Sequence, residues 1–285
     1  MKVLRGAVSI GVVALALAQG AAQAQIRYST GQAVVPLFEG WMKNGDGTYN
    51  MMFAYLNRNF DEVIDIPVGP DNFCDPAPQD CGQPTHFYTR RQKFVFSVKL
   101  PANWPKDRKF LWTLKSRGNN ESAKASLVPE YEIDYGTLSE NGSGGILEAG
   151  NQPPTIVSGS PAQTVTQGQT ASLSVDVTDD GIPKPAERRA QSSPPPAANQ
   201  TPDLDPARAA AAAARIPGVR VRWVQYRSPA GGKVTFDPER SDPVYGQPVT
   251  AATKASFTVP GVYVLRAIAS DRQLEATYDI TVTVK

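Results

Sequence analysis

The chain has 285 residues, with 29 Lys+Arg against 27 Asp+Glu, one His, two Cys, 23 Gly and 25 Pro. That length allows one or two domains, each with its own core, and the proline count argues for short strands and turns over long helices. A net charge of +2 excludes nucleic acid as the expected partner, and His86 is the single imidazole in the chain.

Lys2 and Arg5 precede an apolar run from Gly6 to Ala18, and small residues follow as far as Ala22-Gln23-Ala24. This is the three-part layout of a secretory signal, so residues 1–24 are expected to be removed and Gln25 to begin the mature chain. The apolar run is too short to cross about 30 Å of hydrocarbon, so no membrane span is expected after cleavage. Loss of Lys2 and Arg5 leaves 27 basic and 27 acidic residues, a nearly neutral mature protein. The expected location is the periplasm or the exterior. An oxidising compartment makes Cys74 and Cys81, seven apart in a Pro-rich stretch, an expected disulfide. So small a ring contributes about 2 kcal/mol and mainly fixes local shape. A zinc site built from both thiolates and His86 lacks a second ligand pair at zinc-like spacing. No metal and no other cofactor is expected.

Residues 25–139 read as an antiparallel β-sandwich. Tyr49, Met51, Phe53 and Tyr55 alternate with their neighbours, as do Phe94, Phe96, Val98 and Leu100, and Phe110, Trp112 and Leu114. Period-two patterns of this kind place one set of side chains on a buried face. Asn44-Gly45-Asp46-Gly47 tolerates positive φ and predicts a hairpin. Further strands are expected over 62–68 and 123–133, with no helix. Residues 140–154, containing Asn-Gly-Ser-Gly-Gly and ending Asn-Gln-Pro-Pro, are the expected linker.

Residues 155–285 read as a second sandwich. Strands are expected at 163–165, 171–177, 219–223, 233–236, 255–259, 262–269 and 276–284, with Trp223 as the central indole. Residues 184–217 break the pattern. They are rich in Pro, Ala, Ser, Gln and Arg and almost without aliphatic or aromatic side chains, so they are expected to form a disordered insertion.

The order Asn151-Gln-Pro-Pro154, Val177-Thr-Asp-Asp-Gly181, Val221-Arg-Trp223, Pro260-Gly-Val-Tyr-Val-Leu265, Ala269-Ser-Asp271 and Thr281-Val-Thr-Val284 resembles bacterial immunoglobulin-like and PKD-like modules of exported proteins. The resemblance implies a spacer or adhesive module without catalysis. Such modules usually carry Asp-Gly where this chain has Asp271-Arg272. The first half, through Phe38-Glu-Gly-Trp41, Tyr55-Leu-Asn-Arg-Asn59 and Arg90-Arg-Gln-Lys-Phe94, is similar to the N-terminal part of poorly characterised exported bacterial proteins, and no function comes with that likeness.

The expected function is therefore a non-enzymatic binding or spacer protein of the bacterial envelope, with a glycan or an envelope protein as partner. The alternative is a secreted enzyme acting on polysaccharide or peptide through a site in the first domain. No Gly-x-Ser-x-Gly elbow accompanies His86, and the acidic residues are too scattered to pick out a glycosidase pair, so no catalytic residue is assigned. Asp71, Asn72, Asp75 and Asp80 lack the ligand spacing of a known calcium loop, and Asp179-Asp180-Gly181 invites the same thought with the same weakness. Ligand contact is expected on the long clipped loop from Gly69 to Arg91, carried by Phe73, His86, Phe87, Tyr88, Arg90 and Arg91, with Trp104, lodged between two prolines, as a further exposed aromatic.

Overall fold

The computed structural model describes residues 28–76, 78–142, 144–185 and 217–285. The expected signal segment 1–24 and nearly all of the expected insertion 184–217 lie outside the described residues. The protein is all-β, two antiparallel sandwiches with the second immunoglobulin-like.

The first sandwich is built from β1 (Val34–Lys43), β2 (Tyr49–Asn57), β3 (Ile64–Asp65), β4 (Asn72–Asp75), β5 (His86–Phe87), β6 (Arg90–Leu100), β7 (Phe110–Ser116) and β8 (Asn119–Ala125). One sheet has the order β1-β2-β6, the other β4-β7-β8, and β3 pairs with β5 as a short ribbon. β1 packs on β7 and β8 across the core. The alternating apolar residues meet there as rings: Phe53 and Phe96 stack at 5.1 Å between centroids, and Trp112 stands edge-on to Phe96 at 4.9 Å. Asn44 to Thr48 closes the β1–β2 hairpin, with Gly47 at φ 81°. A second tight hairpin joins β7 to β8 through Arg117 and Gly118, both at positive φ, the geometry of a type I′ turn.

Three expectations for this region change. The strand expected over 62–68 shrinks to Ile64–Asp65, which pairs only with His86–Phe87. The strand expected over 123–133 ends at Ala125, and Pro129–Tyr131 forms a short 3-10 turn. That turn is then clamped against β1: Ile133 N donates to Trp41 O at 2.9 Å. Gly40 permits the approach, because a Cβ there would lie 2.7 Å from Tyr131 O. A helix, α1 (Tyr135–Gly142), precedes and enters the expected linker. Its start is fixed by Asp134, whose Oδ1 accepts Thr137 N at 2.8 Å and the Thr137 hydroxyl at 2.9 Å, an N-cap that the strand reading passed over.

The second sandwich contains β9 (Thr155–Gly159), β10 (Gln163–Val165), β11 (Ala171–Thr178), β12 (Arg220–Arg227), β13 (Val234–Asp237), β14 (Val249–Phe257), β15 (Gly261–Ser270) and β16 (Glu275–Val284). The sheet β13-β14-β11-β9 faces the sheet β10-β16-β15-β12. Among these pairings only β10 with β16 is parallel. Splitting the first strand between sheets as β9 and β10 reproduces the immunoglobulin arrangement, with β12 in the place of strand C and β15 in that of strand F. Trp223 on β12 is 1% exposed. Tyr263, near the start of β15, donates its hydroxyl to Val259 O at 2.7 Å, the tyrosine corner of such domains. Leu265, two residues on, stands where antibody domains carry their second cysteine, so apolar packing replaces the intersheet disulfide. Arg272 holds φ 92°, the left-handed conformation that favours glycine.

Candidate functional site

The expected binding loop turns inward. In its sheet β12 is an edge strand, and an open edge exposes backbone groups that must find partners. Residues 239–244 of its own domain cover the edge from Val219 to Trp223, and residues 80–88 of the first domain cover it from Gln225 onward. Thr85 N donates to Tyr226 O at 3.2 Å, Ser228 N donates to Thr85 Oγ1 at 3.1 Å, and Gln225 N donates to the Tyr88 hydroxyl at 2.9 Å. Arg227 forks onto Asp80 at 2.7 and 2.8 Å and reaches Gln83 O at 2.8 Å. The Tyr226 ring enters the aromatic core of the first domain, with its hydroxyl donating to Gly82 O. Residues of a strand alternate between its faces, so Val224 and Tyr226 point away from Trp223 as a buried outward apolar pair, and Tyr226 joins the first-domain core.

His86, 8% exposed, lies within this seam. The Gln225 amide is oriented by backbone: Nε2 donates to Gly232 O at 2.8 Å and Oε1 accepts Val234 N at 2.9 Å. Its Nε2 is therefore also the atom 3.1 Å from His86 Nδ1, while Asp65 Oδ1 lies 2.6 Å from the same nitrogen. An ionised carboxylate only accepts, so Nδ1–H donates to Asp65. Ser228 Oγ contacts Asp65, at 3.4 Å. The order hydroxyl, carboxylate, imidazole differs from a hydrolase relay, in which the imidazole stands between the other two.

The other expected site residues disperse. Phe87 is fully buried against Tyr55 and Trp112. Tyr88 is half-buried, and burial raises its phenol above the usual range. Phe73 is half-buried on β4, with the Lys115 ammonium 5.6 Å from its ring centre. Arg90 is exposed at one end of β6 and stacks on Phe60 at 3.9 Å. Trp104, expected to be exposed, packs against the first core under the Arg108 guanidinium at 4.5 Å, because the turn from Pro101 folds its ring back. The Cys74–Cys81 disulfide is present, with Cα atoms 6.1 Å apart. Asn72, weighed above as a calcium ligand, is consumed by structure: its amide donates to Ile66 O and Pro84 O and accepts from Trp112 Nε1.

Of the expected contacts, Arg91 opens onto a cleft of about 680 Å³ between the two sandwiches. One wall is β6 and α1, and the other comes from β12, β15, β16 and the turn before β16. Arg91, Lys93, Arg222, Arg266 and Arg272 line it against two carboxylates, Glu275 and Asp279. Arg266 is the built-in member: it forks onto Asp279 at 2.6 and 2.8 Å, lies 3.4 Å over the Tyr226 ring and donates to Val95 O across the seam. Lys93 donates to Asn141 O and Arg91 to Glu39 at 2.7 Å. Phe94 and Arg272 hold φ of 48° and 92° on opposite walls, and conformations of that kind in non-glycine residues gather at functional sites. Sequence reading missed Lys93, Arg222 and Arg266. The signal that could have found the seam is the apolar pair Val224 and Tyr226 on the outward side of an otherwise alternating strand.

The fold and the cleft define a two-domain β-sandwich protein with an immunoglobulin-like second domain. No known family model matches the sequence, and no curated protein matches it. Similar solved structures include the N-terminal Ig1-2 module of Drosophila receptor protein tyrosine phosphatase DLAR, at 7% identity and TM-score 0.31, covering 89% of this chain and 98% of that one. The N-terminal eight Ig domains of Down syndrome cell adhesion molecule are 8% identical at TM-score 0.25, covering 88% of this chain and 27% of that one. The S-layer protein rSbsC(31-844) is 9% identical at TM-score 0.25, covering 84% of this chain and 23% of that one.

Proposed function

We propose that this is an exported, non-enzymatic binding and spacing protein of the bacterial envelope, and that the cleft between its sandwiches takes a carboxylate-bearing glycan. The observation that carries the reading is the cationic excess of that cleft: five Arg and Lys side chains against two carboxylates, contributed by both domains. Planar guanidinium groups suit carboxylates, and a wall held by the Arg266 bridge and the β12 seam needs little ordering on association. The secretory layout of residues 1–24 and the disulfide support export.

Titration calorimetry with a uronate oligosaccharide, against a neutral oligosaccharide of the same length, tests this. The acidic sugar should bind and weaken with salt, and R222E or K93E should each lower affinity at least about tenfold. Equal binding of the neutral sugar, or unchanged affinity in both folded variants, would refute the cleft.

A further inference from the structure

At one end of the second sandwich three buried oxygen atoms have no hydrogen-bond partner: Asn151 Oδ1, Asp179 Oδ1 and Asp271 Oδ2. They come from three separate stretches, the connector before β9, the turn after β11 and the turn between β15 and β16. Asp271 is 1% exposed and Asn151 2%. Each head group is held in place by its other polar atom. Asp271 Oδ1 accepts the backbone N–H groups of Gln273 and Leu274, both at 2.7 Å. Asp179 Oδ2 accepts Gly181 N at 3.0 Å. Asn151 Nδ2 donates to Gln273 Oε1 at 2.9 Å. The Gln273 amide is itself oriented by backbone, since its Nε2 donates to Ile146 O at 2.7 Å and its Oε1 accepts Glu148 N at 3.0 Å. Asn151 Oδ1 is thereby left without a hydrogen-bond partner, while its amide N–H side faces Gln273 and Asp271.

The Asn151 side chain lies beside the Asp271 carboxyl, and the charges of Asp271 and Asp180 both act on Asp179. Leaving a buried acceptor unpaired is costly, and more so when it carries a charge. Three such acceptors from separate stretches, two of them acidic, make a poor place for empty space and a good one for a cation. We propose that Asn151, Asp179 and Asp271 are ligands of a hard divalent cation, and that calcium is the ion they fit. Calcium takes oxygen ligands in irregular geometry, mixing carboxylates, amide oxygens, backbone carbonyls and water. The set is two carboxylates and one amide oxygen; no group of three or more His, Cys, Asp or Glu forms among the described residues. Burial pushes the Asp179 carboxyl up to about 6, with the negative charges of Asp271 and Asp180 adding to it. Burial likewise raises Asp271. A bound cation would hold both ionised. Such an ion would tie the connector to the turns after β11 and β15. Gln273 and Arg272, which flank it, also line the cleft, so the ion would stiffen one wall of the proposed glycan site without belonging to it.

The mature protein, stripped with chelator, is titrated with calcium chloride by calorimetry and melted with and without millimolar calcium. One ion should bind per chain, and the melting midpoint should rise by at least about 4 °C. D271N should abolish the response. D179N, at a half-buried position, keeps the test open if D271N fails to fold, and should weaken calcium binding at least about tenfold. Absence of both heat and melting shift in the wild type, as expected if the oxygens only bridge a water, would overturn the proposal. So would a response unchanged in D179N.

Discussion

The Tyr88 hydroxyl accepts the backbone N–H of Gln225 at 2.9 Å, so a side chain of the first domain completes the edge of a strand in the second. The Gln225 side chain braces that strand from within its own domain, holding Gly232 O and Val234 N at 2.8 and 2.9 Å. Removing the Tyr88 hydroxyl leaves one backbone donor unpaired, whereas truncating Gln225 strands a buried donor and a buried acceptor. Y88F should cost about 1 kcal/mol and Q225A about 2–4 kcal/mol. Urea unfolding followed by tryptophan fluorescence measures both, and a Q225A loss no larger than that of Y88F would contradict the arrangement.

Phe87 and Tyr226 are core residues of one continuous packing unit, although they belong to different domains. F87A should cost about 3–5 kcal/mol through the cavity it leaves among Tyr55 and Trp112. Y226A should cost a similar amount while perturbing the first domain, seen as shifts of Trp112 and Phe53 resonances in NMR spectra. Shifts confined to the second domain would show that the Tyr226 ring does not enter the first core.

The Asp80–Arg227 fork gives the seam an acid-sensitive component. The hydrogen bonds from Arg227 hold the Asp80 carboxyl below its ordinary value of 3.8. A depressed folded value contributes stability that is fully present above 3.8 and is lost as pH falls through the lower folded value. Carbon-detected NMR titration of Asp80 should therefore give a midpoint below 3.8 in the wild type. R227Q should move that midpoint upward, toward the ordinary value; a midpoint that R227Q leaves unmoved would contradict the pairing.

Much of the fold was legible because it rests on local pattern. The alternation of Ile280, Val282 and Val284 with Thr281 and Thr283 maps onto the buried and open faces of β16, and Asn44–Gly47 closes the hairpin where its chemistry requires. Where local chemistry was misread, the outcome changed: Asp134 capping Thr137 makes a helix, and Arg117-Gly118 makes a hairpin with no Asn-Gly to announce it. The candidate site was far less legible. Asp80 meets Arg227, and His86 meets Gln225, across the two domains, and no periodicity reports such a meeting. The clipped loop is rich in rings and charge because it must cover another domain, which in sequence looks the same as a surface built for a ligand.

The Cys74–Cys81 disulfide acts locally. Cys74 N already donates to Gln79 O at 2.9 Å inside the ring it closes. The double variant C74S/C81S should lose about 2 kcal/mol and retain the seam contacts of Tyr226 and Ser228. Denaturant midpoints, with amide exchange at Gln225 as the local reporter, check both parts; loss of protection at Gln225 under native conditions would show that the clip holds the seam.

Hydrogen–deuterium exchange of the mature protein, with and without a saturating uronate oligosaccharide, locates the binding face. New protection should fall on 91–97 of β6 and on 266–279 of the second domain, the two walls of the cationic cleft. Protection elsewhere, or none in the presence of measurable binding, would contradict the cleft as the site.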